Sequence, residues 1–299
     1  MGITAFIGGG NMAAAILGGL RRSGVAGHTL WVVEPDAAQR GRLEANHGVR
    51  AFASGGPELV SADLVVWAVK PQFFAAAAAA SAPHVGGAVQ LSVMAGIRSS
   101  ALAAATATDR VVRAMPNTPA LIGRGITGLY ARAGIDGVAR AAVEAVLAPT
   151  GRLLWFEHEA DLDAVTAVSG SGPAYVFYVA EAMVAAAVEM GLTAEQGREL
   201  ALATFAGATA LAEGSPEALH TLRERVTSKG GTTHAALTSL DRAGVADAFR
   251  AALGAARDRA RELGDEFAGA APTASTLSTR APHELGPTPF DPSEPGNRP

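Results

Sequence analysis

No cysteine occurs in the 299 residues, which excludes disulfides, a thiolate nucleophile and any cysteine-based metal site. Lysine is nearly missing as well: Lys70 and Lys229 are the only two. Basic residues nowhere form a dense cluster, and the formal net charge is −4 with a pI near 6.0. Such a balance argues against nucleic acid or an anionic membrane as the main partner and leaves a small molecule as the expected one. The longest apolar run, Phe73 to Ala82, falls short of the roughly 20 residues needed to span a bilayer, and being mostly alanine it reads as a surface helix. The amino-terminal segment lacks a basic stretch followed by an apolar one, and position 6 is Phe rather than Ser or Thr. Neither secretion nor myristoylation is signalled, so the cytoplasm is the default expectation. His158 and His220 lie in charged segments expected to be exposed, and no His/Asp/Glu spacing suggests a metal site.

What is present is ample apolar material. A hydrophobic content of 49% and a mean hydropathy of +0.21 suit a globular chain of about two domains. In the first half, strand-like runs (Thr4 to Ile7, Leu30 to Val33, Leu64 to Val69, Val89 to Val93, Val111 to Ala114, Ile126 to Tyr130) alternate with helical segments. Unbroken apolar strands separated by helices predict a parallel sheet covered on both faces, the doubly wound, Rossmann-like α/β arrangement. From about Asp161 the pattern becomes helical, with segments at Pro173 to Met190, Thr193 to Glu213 and Val245 to about Phe267. Val176, Val179, Met183, Ala187 and Met190 repeat at helical spacing. That face is too apolar to stand alone, so pairing with a second subunit is the expectation, with burial against the chain's own first domain as the alternative. The predicted organisation is an α/β domain over 1–160, an all-α dimerisation domain over 161–269, and a disordered tail over 270–299 rich in Pro, Ser, Thr and Gly.

Two motifs carry chemistry. The first is TAFIGGGNMAAAI, in which Gly8, Gly10 and Ala13 follow the spacing G-x-G-x-x-A between a strand and a helix. In dinucleotide-binding folds the first glycine makes the tight turn, the second admits the pyrophosphate to the backbone, and the third position must be small for packing. The second strand ends at Glu34, where a carboxylate can accept the ribose hydroxyls of NAD. Against that, Glu34 could face solvent while Arg40 or Arg42 reaches the 2′-phosphate of NADP, so NADH and NADPH both stay open. The strand LVVWAVKPQ ends in Lys70, Pro71 and Gln72, a loop expected to line the nicotinamide end of such a site or simply to present a solvated lysine.

The second motif is VTSKGGTTHAAL, residues 226–237. Glycines between hydroxyl residues, just before a helix, let backbone N–H groups converge on an anion such as a carboxylate or phosphate. An ordinary turn with a Ser or Thr N-cap accounts for the same letters. Ser171 in SGSGPAY reads as the N-cap of the long helix that follows, and Asn117 as part of an active-site wall.

Taken in order, FIGGGNMAAAI, AVKPQ at 68–72, RAMPNTPALIGRGITGLYA at 113–131, SGSGPAY at 169–175 and VTSKGGTTHAAL resemble the pyrroline-5-carboxylate reductase family from residue 3 to about 265. The resemblance implies a Rossmann domain that binds NADH or NADPH, a helical domain forming an interlocked homodimer that can assemble into decamers, and reduction of the C=N bond of 1-pyrroline-5-carboxylate to L-proline. It also implies that Gly8, Gly10, Asn11, Met12 and Ala13 hold the pyrophosphate and adjoining ribose. Val69, Lys70 and Pro71 would flank the nicotinamide ribose. Ser228, Gly230, Gly231 and Thr232 would take the substrate carboxylate, with the Thr233 hydroxyl on the ring nitrogen as the catalytic contact. The sequence departs from the family's usual pattern at Lys229, at His234, and at Glu34-Pro35-Asp36 after the second strand. A β-hydroxyacid dehydrogenase shares this layout but needs a lysine on the helical domain, and Pro173 to Glu213 has none. A non-catalytic dinucleotide sensor would need the first motif and not the second.

Overall fold

The computed structural model describes residues 2–269; the expected tail over 270–299 lies outside them. One eight-stranded sheet runs in the order β3-β2-β1-β4-β5-β6-β7-β8, built from β1 (Thr4–Ile7), β2 (Leu30–Val33), β3 (Arg50–Phe52), β4 (Leu64–Trp67), β5 (Val89–Ser92), β6 (Val111–Met115), β7 (Gly125–Ala131) and β8 (Gly151–Phe156). Strands β1, β2 and β4 are buried at every position. Alternate residues serve opposite cores: Phe6, Val32 and Val66 pack on one face, and Ile7, Val33 and Trp67 on the other. Helices α1 (Asn11–Arg22), α2 (Ala37–His47), α3 (Phe74–Ser81), α4 (Ser99–Thr106) and α5 (Gly137–Leu147) cover the two faces, as the doubly wound expectation required.

Three details correct the sequence reading. The sheet is mixed, because β7 runs antiparallel to β6 while pairing in parallel with β8. The link from Met115 to Gly125 carries only the short 3₁₀ turn Thr118–Ile122, whereas a parallel return needs about a dozen residues or more. Strands β3 and β8 were absent from the expectation. Third, the alanine-rich stretch is no plain surface helix, since Phe74 and Ala78 are buried and neighbouring alanines line a crevice.

The second half is helical: α6 (Asp161–Val165), a π turn (Thr166–Gly170), α7 (Gly172–Glu189), α8 (Ala194–Glu213), α9 (Leu219–Arg225), α10 (Thr232–Arg242) and α11 (Val245–Gly269). Ser171 does not cap α7. It has helical angles (φ −84°, ψ −16°) and no side-chain capping bond, and its N–H donates to Thr166 O at 2.8 Å, the wider ring of a π turn. The helix is therefore continuous from Asp161 to Glu189, long and apolar enough by length and composition to cross a membrane. Along it Phe177 and Tyr178 are exposed, as are Met190 just past its end and Leu200 and Leu211 on α8.

Charged contacts tie the sheet to the helices. Glu159, just before α6, accepts the Ser99 N–H at 2.7 Å, the Ser99 hydroxyl at 2.5 Å and Arg113 Nη1 at 3.1 Å. Burial holds the Arg113 guanidinium below its ordinary value, and Glu159 opposes that shift. Beside this group Arg98 pairs with Asp163 on α6 at 3.2 Å and with Asp265 on α11 at 3.6 Å.

Candidate active site

The glycine turn sits at the carboxyl end of β1, between the ends of β2 and β4. Gly8 holds φ +99°, and a Cβ there would stand 2.8 Å from Val69 Cγ1 and 2.9 Å from the Ala68 carbonyl; only glycine satisfies both conditions. Gly10 N-caps α1 without a side-chain capping bond, and a Cβ added to it would meet nothing within 4 Å. The first amides of α1, those of Asn11 and Met12 among them, thus face an open approach with the positive end of the helix behind them. Ala13 is fully buried, so its methyl packs helix on sheet as the third position of the motif demands.

A crevice of about 490 Å³ opens beside this turn. Gly8, Gly10, Glu34, Val69 and Lys70 line it, so the structure gathers five of the expected cofactor residues into one cavity, while Pro71 begins the short 3₁₀ turn just beyond. Ala53, Gly55, Ala77 and Ser81 also line it, and the sequence reading missed all four. Small size was the available signal. Ser81 Oγ is buried and has no hydrogen-bond partner among the described residues. A narrow glycine turn, an uncapped helix start, and an apolar slot with one orphan hydroxyl together suit the pyrophosphate and the flat, polar-edged adenine of a dinucleotide.

Glu34 does not turn to solvent. Its Oε2 accepts the Gly9 N–H at 2.9 Å and its Oε1 accepts the Asp36 N–H at 3.0 Å. Gln39 Nε2 donates to Gly9 O at 2.6 Å from the other side.

The second motif forms a separate feature. Gly230 has φ +76°, the Gly231 N–H donates to Ser228 O at 3.0 Å, and a Cβ at Gly231 would lie 2.4 Å from Ser228 Oγ. Gly231 itself is the N-cap of α10, with no side-chain capping bond. The ordinary Ser/Thr cap is thus not made. The hydroxyls of Ser228, Thr232 and Thr233 have no side-chain partner among the described residues, and the first amides of α10 are left uncapped. That arrangement can grip a carboxylate. Lys229 and His234 are exposed beside it. None of residues 226–237 lines the crevice at the glycine turn; α10 packs on α11.

Asn117 joins the two halves. Its Oδ1 accepts the Ile126 N–H at 3.0 Å and its Nδ2 donates to Ser169 O at 3.2 Å, fixing the π turn against the end of β6. Among the described residues no three His, Asp or Glu side chains come together as a metal site would need.

A glycine-turn crevice outside the carboxyl ends of the sheet's parallel strands, followed by a helical domain, defines a dinucleotide-dependent oxidoreductase class. Residues 3–96 match the family described as NADP oxidoreductase coenzyme F420-dependent, and residues 159–263 match Pyrroline-5-carboxylate reductase dimerisation. The chain is 41% identical over 265 residues to the pyrroline-5-carboxylate reductase of Pseudomonas aeruginosa, covering 88% of this chain and 97% of that protein. The solved pyrroline-5-carboxylate reductase of Coxiella burnetii superposes with TM-score 0.81 at 32% identity, over 88% of this chain and 98% of that one. The Plasmodium falciparum pyrroline carboxylate reductase, solved with NADP bound, gives 0.78 at 25% identity over 88% and 98%. The chain belongs to the pyrroline-5-carboxylate reductase family.

Proposed function

We propose that the chain reduces 1-pyrroline-5-carboxylate to L-proline with NADH or NADPH, through a dinucleotide domain over residues 1–160 and a helical substrate domain over 161–269. The observation that carries this reading is the presence, in one chain, of a crevice shaped for a dinucleotide and an uncapped helix start shaped for a carboxylate. When bound, the nicotinamide would supply the hydride for the C=N carbon, and the proton on the nitrogen is the one the imine takes from water before transfer. The chain's own task is placement. Gly8 and Gly10 leave room for the pyrophosphate, with the Asn11 and Met12 amides as its donors, and Val69, Lys70 and Pro71 flank the ribose beyond it. Ser228, Gly230, Gly231 and Thr232 hold the substrate carboxylate, while Thr233 hydrogen-bonds the ring nitrogen. A cyclic imine that arrives protonated needs no strong side-chain acid, and orientation then provides most of the rate.

The exposed cradle and the crevice meet, in this reading, through pairing of two copies. Exposed Phe177, Tyr178 and Leu200 leave an apolar face on α7 and α8, which a second copy would cover. Dimers joining into a decamer and a cytoplasmic location belong to the same proposal. The test is to follow nicotinamide absorbance on mixing the chain with 1-pyrroline-5-carboxylate and either reduced dinucleotide. Oxidation of the dinucleotide with proline formed in equal amount supports the assignment, and its absence with both dinucleotides refutes it. A monomer at micromolar concentration in sedimentation would refute the pairing.

A further inference from the structure

Resting on the reductase reading, we propose that this chain selects the dinucleotide that lacks a 2′-phosphate, and that Glu34 makes the selection. Glu34 ends β2 and lines the crevice beside the glycine turn, where the adenosine ribose lies in folds of this kind. Its carboxylate is held in place by two backbone amides, Gly9 N–H at 2.9 Å and Asp36 N–H at 3.0 Å. Both donors are neutral, and Glu34 enters no ion pair among the described residues, so it meets the ribose edge as an unpaired carboxylate. Vicinal ribose hydroxyls are donors that such a carboxylate accepts. A 2′-phosphate would bring further negative charge against it.

The arginines nearest that edge already hold neutral acceptors, and none is aimed at the carboxylate of Glu34. Arg40 Nη1 donates to Glu34 O at 2.8 Å and Pro35 O at 2.7 Å. Arg42 is bound through Nε and Nη2 to Gln39 Oε1 at 2.9 and 2.7 Å. The Arg50 guanidinium lies over Trp31 and Phe52, 5.3 and 4.9 Å from the ring centroids. Asp36 adds a second carboxylate, capping α2 by accepting the Gln39 N–H. Lys70 lines the crevice from the β4 side, but β1 lies between β2 and β4. Across β1, Lys70 stands on the far side of the crevice from the edge where a 2′-phosphate would sit. The NADP bound to the Plasmodium falciparum relative makes this a property of the present chain's own residues.

Calorimetry on the full chain with NADH, NADPH, ADP and adenosine 2′,5′-bisphosphate reads the selection without turnover. NADH should bind roughly tenfold or more tightly than NADPH, with ADP over the bisphosphate in the same sense. Because the repulsion is electrostatic, the ratio should narrow as salt rises. Glu34→Gln should narrow it by about tenfold, chiefly by tightening NADPH. The proposal is overturned if NADPH binds as tightly as NADH, if the ratio ignores salt, if a folded Glu34→Gln leaves it unchanged, or if neither dinucleotide binds. Where Glu34→Gln fails to fold, the wild-type ratio and its salt response decide alone. Turnover keeps the two claims apart: NADH preference without reduction of pyrroline-5-carboxylate sinks the reductase reading only, and efficient turnover with preferred NADPH sinks this one only.

Discussion

Asn117 Nδ2 donates to the Ser169 carbonyl at 3.2 Å across the boundary between sheet and helices, and that carbonyl lies in the turn where the long helix widens to π geometry. A π turn leaves backbone groups imperfectly paired, so an outside donor decides how firmly it is held. Asn117→Ala also orphans the Ile126 N–H, which Oδ1 accepts at 3.0 Å. The expected cost is about 1–3 kcal/mol, with faster amide hydrogen exchange over 166–172 before the rest of the helix changes. Exchange that rises uniformly along the helix would show that Asn117 does not pin the turn.

Glu159 accepts three donors, and one is the buried Arg113 guanidinium. Removing the carboxylate leaves that cation buried without its partner, a loss of about 3–5 kcal/mol for Glu159→Ala. Replacing both, as Arg113→Met with Glu159→Ala, should be less damaging than the sum of the single changes, because the orphaned charge is gone. Urea midpoints at fixed protein concentration measure both, since a paired chain gains stability by mass action. Additive losses would mean that the two side chains act independently.

The first three sheet units were legible because TAFI, LWVV and LVVW are unbroken apolar runs around a glycine turn, and both cores claim alternate residues of each. Strand β3 was not: three residues beginning with Arg50 look like loop, and it takes the stacking of Arg50 over Trp31 and Phe52 to show otherwise. Strand β8 hid because it lies at the sheet's edge with no buried position, unlike the wholly buried β1, β2 and β4. The direction of β7 depends on how far the chain can travel after Met115, which apolar pattern does not encode. Ser171 has a cap's composition, yet the helix passes through it because Thr166 O is free to accept its N–H. The partners of Glu34 lie at Gly9 and Asp36, and only folding brings the first of them near.

His47, in the last turn of α2, has its pKa lowered by burial first and then by Arg21 and Arg22 on α1. A base whose folded-state value is depressed charges more readily when unfolded, so stability is complete above the ordinary imidazole value of about 6.5 and declines as pH falls through it. His47→Gln should therefore flatten the fall in melting temperature between about pH 7.5 and 5.5. An unchanged slope would assign that fall to other groups.

Thr233 and Gly231 should separate binding from rate. A Cβ at Gly231 would reach 2.4 Å from Ser228 Oγ, so Gly231→Ala crowds the start of α10 and, if the proposed carboxylate contact is made there, should raise KM for 1-pyrroline-5-carboxylate. Thr233 makes no side-chain bond among the described residues and is only half-buried, so Thr233→Ala removes a hydroxyl without disturbing the fold. If that hydroxyl orients the ring nitrogen toward the hydride, kcat/KM should drop roughly 10- to 1000-fold. Thr233→Ser, which keeps the oxygen, should recover most of the rate. The ordering matters more than the magnitude: an effect confined to KM in Thr233→Ala would make it one more carboxylate contact, and kinetics equal to the parent would remove it from the mechanism.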